Sequence, residues 1–457
     1  MKRKLTRRQF VRTTGVMATA ALITPLPFTR QARAAANEKL SHACIGVGGM
    51  GAHDLGQFLS HPRTQVVAIC DVDENILKAG LAAAKGRGQE PRIYTDWREL
   101  LAKEVDKVDS INATVPDHSH AIVSLNAMKA GKHVYCQKPL CHDVAEVRAV
   151  TKASMKEGIV TQLGTQHASG NGDRTAVHWM REGVVGKVKR VVLCSNRPGA
   201  IDAYRLVGPR PDKGQSPPAN LHWDVWLGNA PERPYAPGIY HQAKWRAWQD
   251  FGTGWLGDIG CHVFDAVWKG LGLTAPKTVH AQVQESWKES APRRSDTWPQ
   301  SDHITWVFPG SKLTEGDDLT VEWFDGLMFP PEDVQALYPK KPYPEESSIV
   351  IGTEGAILLG NGRMPVLLPG EKFKEISRPP LTPRNHYHHF LDACVDGTKT
   401  ESYFAQTGPM TEAILLGTVA IRVPDKTLQW DAAKMKFPGA PEAERFLSRT
   451  YREGWSV

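Results

Sequence analysis

The 457-residue chain lacks the marks of several protein classes. Beyond the first 40 positions it has no run of about 18 uncharged apolar residues, so it offers no internal membrane span. Its seven cysteines are odd in number and include no C-x-x-C pair, which argues against a zinc site and a disulfide framework. Cys44, Cys70, Cys136 and Cys194 sit in β-like apolar runs and read as buried free thiols behaving as small hydrophobes. There is no internal repeat, and no long hydrophobe-poor, charge-rich tract that would leave the chain disordered. With 41% hydrophobic and 23% charged residues it has ordinary globular composition, and its length suggests two or three domains at roughly 150 residues each.

A true basic excess is also missing. The formal charge of +7 comes from residues 1–34, which hold eight basic residues and no acidic one. Without them, 48 basic residues stand against 49 acidic. No basic stripe is left for nucleic acid. The same 34 residues read as an export signal. Arg7 and Arg8 precede a short, weakly apolar run from Thr13 to Ile23, and Ala32-Arg33-Ala34 offers the small residues a signal peptidase reads. The paired arginines point to the twin-arginine route and a periplasmic or exported protein. Resemblance to such signals implies passage of a folded protein, often with its cofactor bound.

Residues 43–163 have the grammar of a nucleotide-binding sheet. Ala43-Cys44-Ile45 feeds Gly46-Val47-Gly48-Gly49-Met50-Gly51, a G-x-G-x-x-G turn, and a helical pattern runs on through Phe58. The next strand ends at Asp71, 20 residues past Gly51. Glycines permit a tight turn and close approach to a pyrophosphate, and the following helix N-terminus supplies N–H donors. An acidic residue at that strand end accepts from ribose hydroxyls and repels a 2′-phosphate, so NAD is expected over NADP. Short apolar runs then alternate with helices of about 10–15 residues up to Leu163, which predicts a doubly wound parallel sheet. Ligands bind at the carboxyl ends of such strands, which places Pro116, Asp117, His118, Gln137 and Lys138 around the cofactor beside Gly46, Gly48, Gly49, Met50, Gly51 and Asp71.

From about residue 188 the pattern turns β-rich, with several runs alternating apolar and polar residues as half-buried antiparallel strands do. Residues 221–255 are dense in aromatics, among them Trp223, Trp226, Trp245 and Trp255. These suit either the wall of a sugar cleft or the core of a loop-rich region. Residues 252–270 open with glycines and read as a helix carrying Asp258, His262 and Asp265 on one face. A carboxylate beside an imidazole can orient it and tune its basicity. No third and fourth ligand lies in register for a metal, so none is expected. His386-Tyr387-His388-His389 reads as a partly exposed helix face.

The glycine turn with Asp71, the Val115-Pro116-Asp117-His118 turn, Gln137-Lys138-Pro139 and Asp258-x-x-x-His262 occur in one order. That order resembles the Gfo/Idh/MocA oxidoreductase family, which includes glucose–fructose oxidoreductase and inositol dehydrogenase. The resemblance implies a Rossmann domain (35–165) followed by an α/β domain (166–457) with an open antiparallel sheet, often an oligomer interface. It makes Lys138, Asp258 and His262 the chemical residues. From the aromatic segment, Trp245 and Trp255 are the candidates to meet the substrate together with His262. One departure is plain: Gln137 stands where the family usually has Glu. The implied activity is NAD-dependent oxidation of a sugar or polyol CH–OH, with a tightly held cofactor. The alternatives are glycoside cleavage by transient oxidation with bound NAD, and a non-catalytic NAD or sugar binder.

Overall fold

The computed structural model describes residues 39–197 and 210–456; the export signal expected over residues 1–34 lies outside them. The apolar runs of the first half form β1 (Leu40–Ile45), β2 (Thr64–Cys70), β3 (Arg92–Tyr94), β4 (Ser110–Ala113), β5 (His133–Cys136) and β6 (Thr161–Leu163). All six pair in parallel, in the order β3-β2-β1-β4-β5-β6. Helices on both faces bury the strands, and for that reason β4 is inaccessible at every position. Local chemistry sets the helix starts. Asp73, Asp96 and Asp143 each cap a helix by accepting a backbone N–H two or three residues on. Strand order reverses between β1 and β4, so a crevice opens outside their carboxyl ends.

The second half forms an eight-stranded sheet from β7 (Val188–Ser195), β8 (Thr278–Val283), β9 (Asp302–Pro309), β10 (Asp318–Asp325), β11 (Glu346–Gly352), β12 (Ala356–Gly360), β13 (Val366–Leu368) and β14 (Leu428–Gln429). Its order is β13-β12-β11-β7-β10-β9-β8-β14. The pairing is antiparallel as expected except at its centre, where β7 and β10 run parallel. The sheet is therefore mixed. A parallel pair needs a long crossover, and more than a hundred residues separate these two strands. β13 and β14, at three and two residues, are too short to show alternation in the sequence.

The helix expected over 252–270 spans Gly254–Leu271 and is buried on every face, as its mostly apolar composition requires. Phe264 packs on Trp306 (5.9 Å) and Trp268 on Phe308 (6.0 Å). A second long helix, Phe404–Arg422, lies against it. Glycine sets their approach: a Cβ at Gly417 would lie 2.6 Å from Leu256 Cδ2. Between the two sheets, this buried helix carries Asp258 and His262 towards the crevice of the parallel sheet.

Candidate active site

The glycine turn is built by steric necessity. Gly46 has φ +84°, and a Cβ there would sit 2.0 Å from the Thr114 carbonyl oxygen. A Cβ at Gly51 would sit 2.3 Å from the Gly46 carbonyl oxygen, so Gly51 serves close packing and does not line the cavity. Gly49, with φ +53°, faces open space. It precedes the helix Met50–Leu59, whose N-terminus no side chain caps. Within that first turn the Gly51 and Ala52 N–H groups donate to the Gly48 (2.8 Å) and Gly49 (3.2 Å) carbonyls, so the helix start offers an anion the positive end of its dipole. Asp71 follows β2 directly, and its carboxylate accepts from the Val47 N–H (2.9 Å) and the Asp73 N–H (3.1 Å). Burial raises its pKa, and the two N–H donors work against that shift.

These groups line one cavity of about 1260 Å³, mouth included. Gly46, Gly48, Gly49, Met50, Asp71, Pro116, Asp117, Gln137, Lys138 and Trp245 all line it. Gly46 and Gly48, where a Cβ would meet the Thr114 carbonyl and the Ile76 side chain, the helix start beside Gly49 and the Asp71 carboxylate after β2 form a set that fits a pyrophosphate flanked by a ribose diol.

At its other end, across from the glycine turn, lies a charged cluster. Lys138 follows β5 and is nearly buried. Its Nζ donates to the Asp258 carbonyl oxygen (2.8 Å) and to that residue's carboxylate. The other Asp258 oxygen lies 3.2 Å from Arg246 Nε. Burial opposes the Asp258 charge, but Lys138 and Arg246 outweigh it and hold the carboxyl well below its usual range. Asp117 accepts from the Thr253 N–H (3.1 Å) and hydroxyl (2.8 Å). Burial, reinforced by Asp258, pushes its pKa up to about 7. His120 secures this corner by bridging the Pro139 (2.6 Å) and Val115 (2.8 Å) carbonyls.

His262 shares a helix face with Asp258, as its spacing requires. Asp258 does not orient it, however; that carboxylate is engaged by Lys138 and Arg246. His262 Nδ1 is buried without a hydrogen-bond partner among the described residues, and its ring lies 6.0 Å from that of His167. Burial, and then the Lys138 charge, hold its pKa well below normal, so the imidazole is neutral at pH 7. It sits beyond the cavity lining, one helical turn from Asp258.

Two further residues named from the sequence lie elsewhere. His118 does not line the cavity. Its Nε2 pairs with the Trp226 carbonyl (3.1 Å), and its ring packs on Trp226 and Phe251. Strand-end position alone does not set the direction of a side chain at a helix start. Trp255 is also outside the lining, donating to the Ser195 carbonyl (3.2 Å) and hydroxyl (3.0 Å). Most of the aromatic segment is core: Trp223 stacks on Trp226 at 4.6 Å, and Tyr240 and Phe251 are wholly buried. His386 is likewise buried, paired with the Leu163 carbonyl (2.8 Å) and the Ser169 hydroxyl (2.8 Å), while His388 and His389 are half-buried. Among the described residues no group of three or more His, Cys, Asp or Glu could hold a metal, and no helix is long and apolar enough to cross a membrane.

Sequence reasoning missed Arg246, which has no motif, and Asp54. Asp54 is fully buried on the first helix and accepts from Gln137 Nε2 (2.9 Å) and the Thr114 hydroxyl (2.8 Å). The neutral amide at 137 is thus the partner of a buried carboxylate.

Residues 40–165 match a family model described as an oxidoreductase family with an NAD-binding Rossmann fold, and residues 176–312 match its C-terminal α/β domain. Among curated proteins, the chain is similar to a glycosyl hydrolase family 109 protein of Shewanella pealeana. They are 24% identical over 205 residues, 40% of this chain and 44% of that protein. It is also similar to inositol 2-dehydrogenase of Salmonella typhimurium, 28% identical over 120 residues, 26% of this chain and 34% of that protein. The chain thus spans less than half the length of these curated relatives. Among solved structures, the WlbA dehydrogenase of Bordetella pertussis in complex with NADH and UDP-GlcNAcA has a TM-score of 0.59 at 14% identity, over 86% of this chain and 98% of that one. Levoglucosan dehydrogenase in complex with NADH and levoglucosan has a TM-score of 0.53 at 19% identity, over 86% and 99%. At these identities the likeness establishes the fold.

Proposed function

The chain belongs to the Gfo/Idh/MocA oxidoreductase family, and from that premise we propose an exported, NAD-dependent oxidoreductase acting on a CH–OH group of a sugar or polyol. The observation that carries this reading is the meeting of Lys138 and Asp258 at the end of a cavity that begins at the glycine turn and Asp71. Gly46, Gly48, Gly49 and Asp71 would hold the cofactor, NAD rather than NADP, and when bound it supplies the hydride acceptor. His262, neutral at pH 7, takes the hydroxyl proton as general base. Lys138 donates to the oxygen as carbonyl character develops. Asp258 positions Lys138 and Arg246 and neutralises part of their charge. Trp245, on the cavity wall, carries the Arg246 guanidinium over its ring (4.3 Å) and would hold that charge beside the bound sugar.

A second reading, glycoside cleavage through transient oxidation with bound NAD, is favoured by the glycosyl hydrolase family 109 relatives. It uses the same cavity. Export through the twin-arginine route fits a cofactor that stays bound, since free nicotinamide is not supplied outside the cell. Self-association through the eight-stranded sheet completes the proposal. It is supported by Leu327 and Phe329, which follow β10, and Val366 on edge strand β13, all of them exposed.

Mass spectrometry of the purified protein after denaturation tests the cofactor. Incubation with sugars and with aryl glycosides, without added NAD, tests the chemistry. A carbonyl product or reduced nicotinamide supports oxidation, and aglycone release supports the second reading. Failure to bind NAD at all would remove both.

A further inference from the structure

The stretch between residues 210 and 250 returns to the far end of the cavity and is fastened there. The Glu74 N–H donates to the Asn220 carbonyl (2.9 Å), and the His222 N–H donates to the Val72 carbonyl (2.9 Å). Asn220 Nδ2 donates to Asp73 Oδ1 (2.9 Å), Leu221 makes a β-bridge with Asp73, and His222 Nε2 lies 3.3 Å from Glu74 Oε1. Every one of these contacts is made to the turn just after Asp71. From this anchor the helix Trp223–Leu227 brings Val225 and Trp226 to the cavity. The C-terminal tail braces that helix from behind, with Arg452 on Asp224 (2.5 Å) and on the Gly228 carbonyl (3.0 Å). His241, Gln242 and Ala243 line the cavity farther on, and Arg246 ends the run at Asp258. One segment therefore follows the cavity from the Asp71 end to the Lys138 end.

His241 has a particular place in it. Its Nε2 lies 3.4 Å from Asp73 Oδ2, and a carboxylate there fixes the ring with Nε2 as donor. Nδ1 is then a lone-pair acceptor, and it is buried without a partner among the described residues. A buried acceptor left unpaired costs free energy unless something supplies a hydrogen. His241 and Asp71 line the same end of the cavity, and both present acceptors.

We propose that residues 210–250 form a lid fastened over the adenosine half of the dinucleotide, and that His241 Nδ1 takes a hydrogen from a hydroxyl or amino group of that half. This rests on the NAD reading and adds two assignments to it. His241 is a cofactor-recognition residue that favours hydroxyl donors over a 2′-phosphate, and lid opening limits cofactor exchange.

The test compares wild type, His241→Ala, His241→Gln and Asn220→Ala by calorimetric titration of NAD and NADP, and by release of labelled NAD into excess unlabelled NAD. His241→Ala should weaken NAD by about 3–10-fold, the usual worth of one hydrogen bond, and narrow the preference over NADP. His241→Gln, which keeps an acceptor, should recover part of that loss. Asn220→Ala loosens the anchor without touching the cavity and should speed NAD release several-fold. NAD should also protect residues 210–250 of the wild type from proteolysis. Unchanged NAD affinity in His241→Ala overturns the recognition role, and unchanged release in Asn220→Ala overturns the lid. A wild type that binds neither nucleotide overturns the NAD reading and the lid together.

Discussion

Exchanging Gln137 for the family's usual Glu should be harmful in this chain, and the structure says by how much. Gln137 Nε2 lies 2.9 Å from Asp54 Oδ2, and both side chains are buried. Gln137→Glu keeps the shape and replaces a donor with a second carboxylate. At an effective dielectric of about 20, two unit charges at that separation repel by about 6 kcal/mol. The protein avoids the full cost by binding a proton between them. Holding protonated a carboxyl whose unfolded pKa is about 4.3 costs about 4 kcal/mol at pH 7, which caps the penalty. The sign is set by proton uptake. The folded mutant binds one more proton than its unfolded chain, so its stability falls as pH rises above about 4.3, by about 1.4 kcal/mol per unit, until the shared proton is lost. Relative to wild type, the destabilisation should be about 1 kcal/mol at pH 5 and about 4 kcal/mol at pH 7. Urea denaturation followed by tryptophan fluorescence at the two pH values reads this. The double variant Asp54→Asn/Gln137→Glu restores an amide–carboxylate pair with its ends exchanged and should recover most of the loss. A Gln137→Glu protein as stable as wild type at pH 7, or a penalty that neither pH nor Asp54→Asn relieves, would refute the pairing as the reason for Gln137.

Lys138→Ala and His262→Ala should each lower turnover by roughly 10²–10⁴-fold, with NAD affinity in titration changing less for His262→Ala; full activity in the latter would remove it as the base. Asp258→Asn removes the charge that raises the His262 pKa against Lys138 and burial, so the acidic limb of the pH–rate profile should move to lower pH, and a limb that moves up would refute the assignment. Asp71→Ser should weaken NAD and narrow its preference over NADP in calorimetry, since it removes the acceptor and the charge that repels a 2′-phosphate. Changing Arg7 and Arg8 together to Lys should leave the unprocessed protein in the cytoplasm, as read by fractionation and immunoblot.

The sequence alone determined the parallel sheet, the glycine turn with Asp71 at the next strand end, and the shared face of Asp258 and His262. Each of these rests on short-range periodicity: two residues for strands, 3.6 for helices, and fixed sterics for a turn whose Cβ positions are already filled. It also ordered Lys138 before Asp258, 120 residues apart. What it left open are contacts between elements that no spacing encodes. That Asp258 pairs with Lys138 and Arg246 rather than with His262 depends on how the buried helix Gly254–Leu271 meets the end of β5. His118 points into an aromatic core because the 210–250 segment folds over its helix. The parallel β7–β10 pair depends on a crossover of more than a hundred residues. Gln137 is a departure when set against a motif. It becomes a partner only when the first helix brings Asp54 to it, because a buried charge is balanced by whatever the packed neighbours supply, and those neighbours are chosen by the tertiary fold.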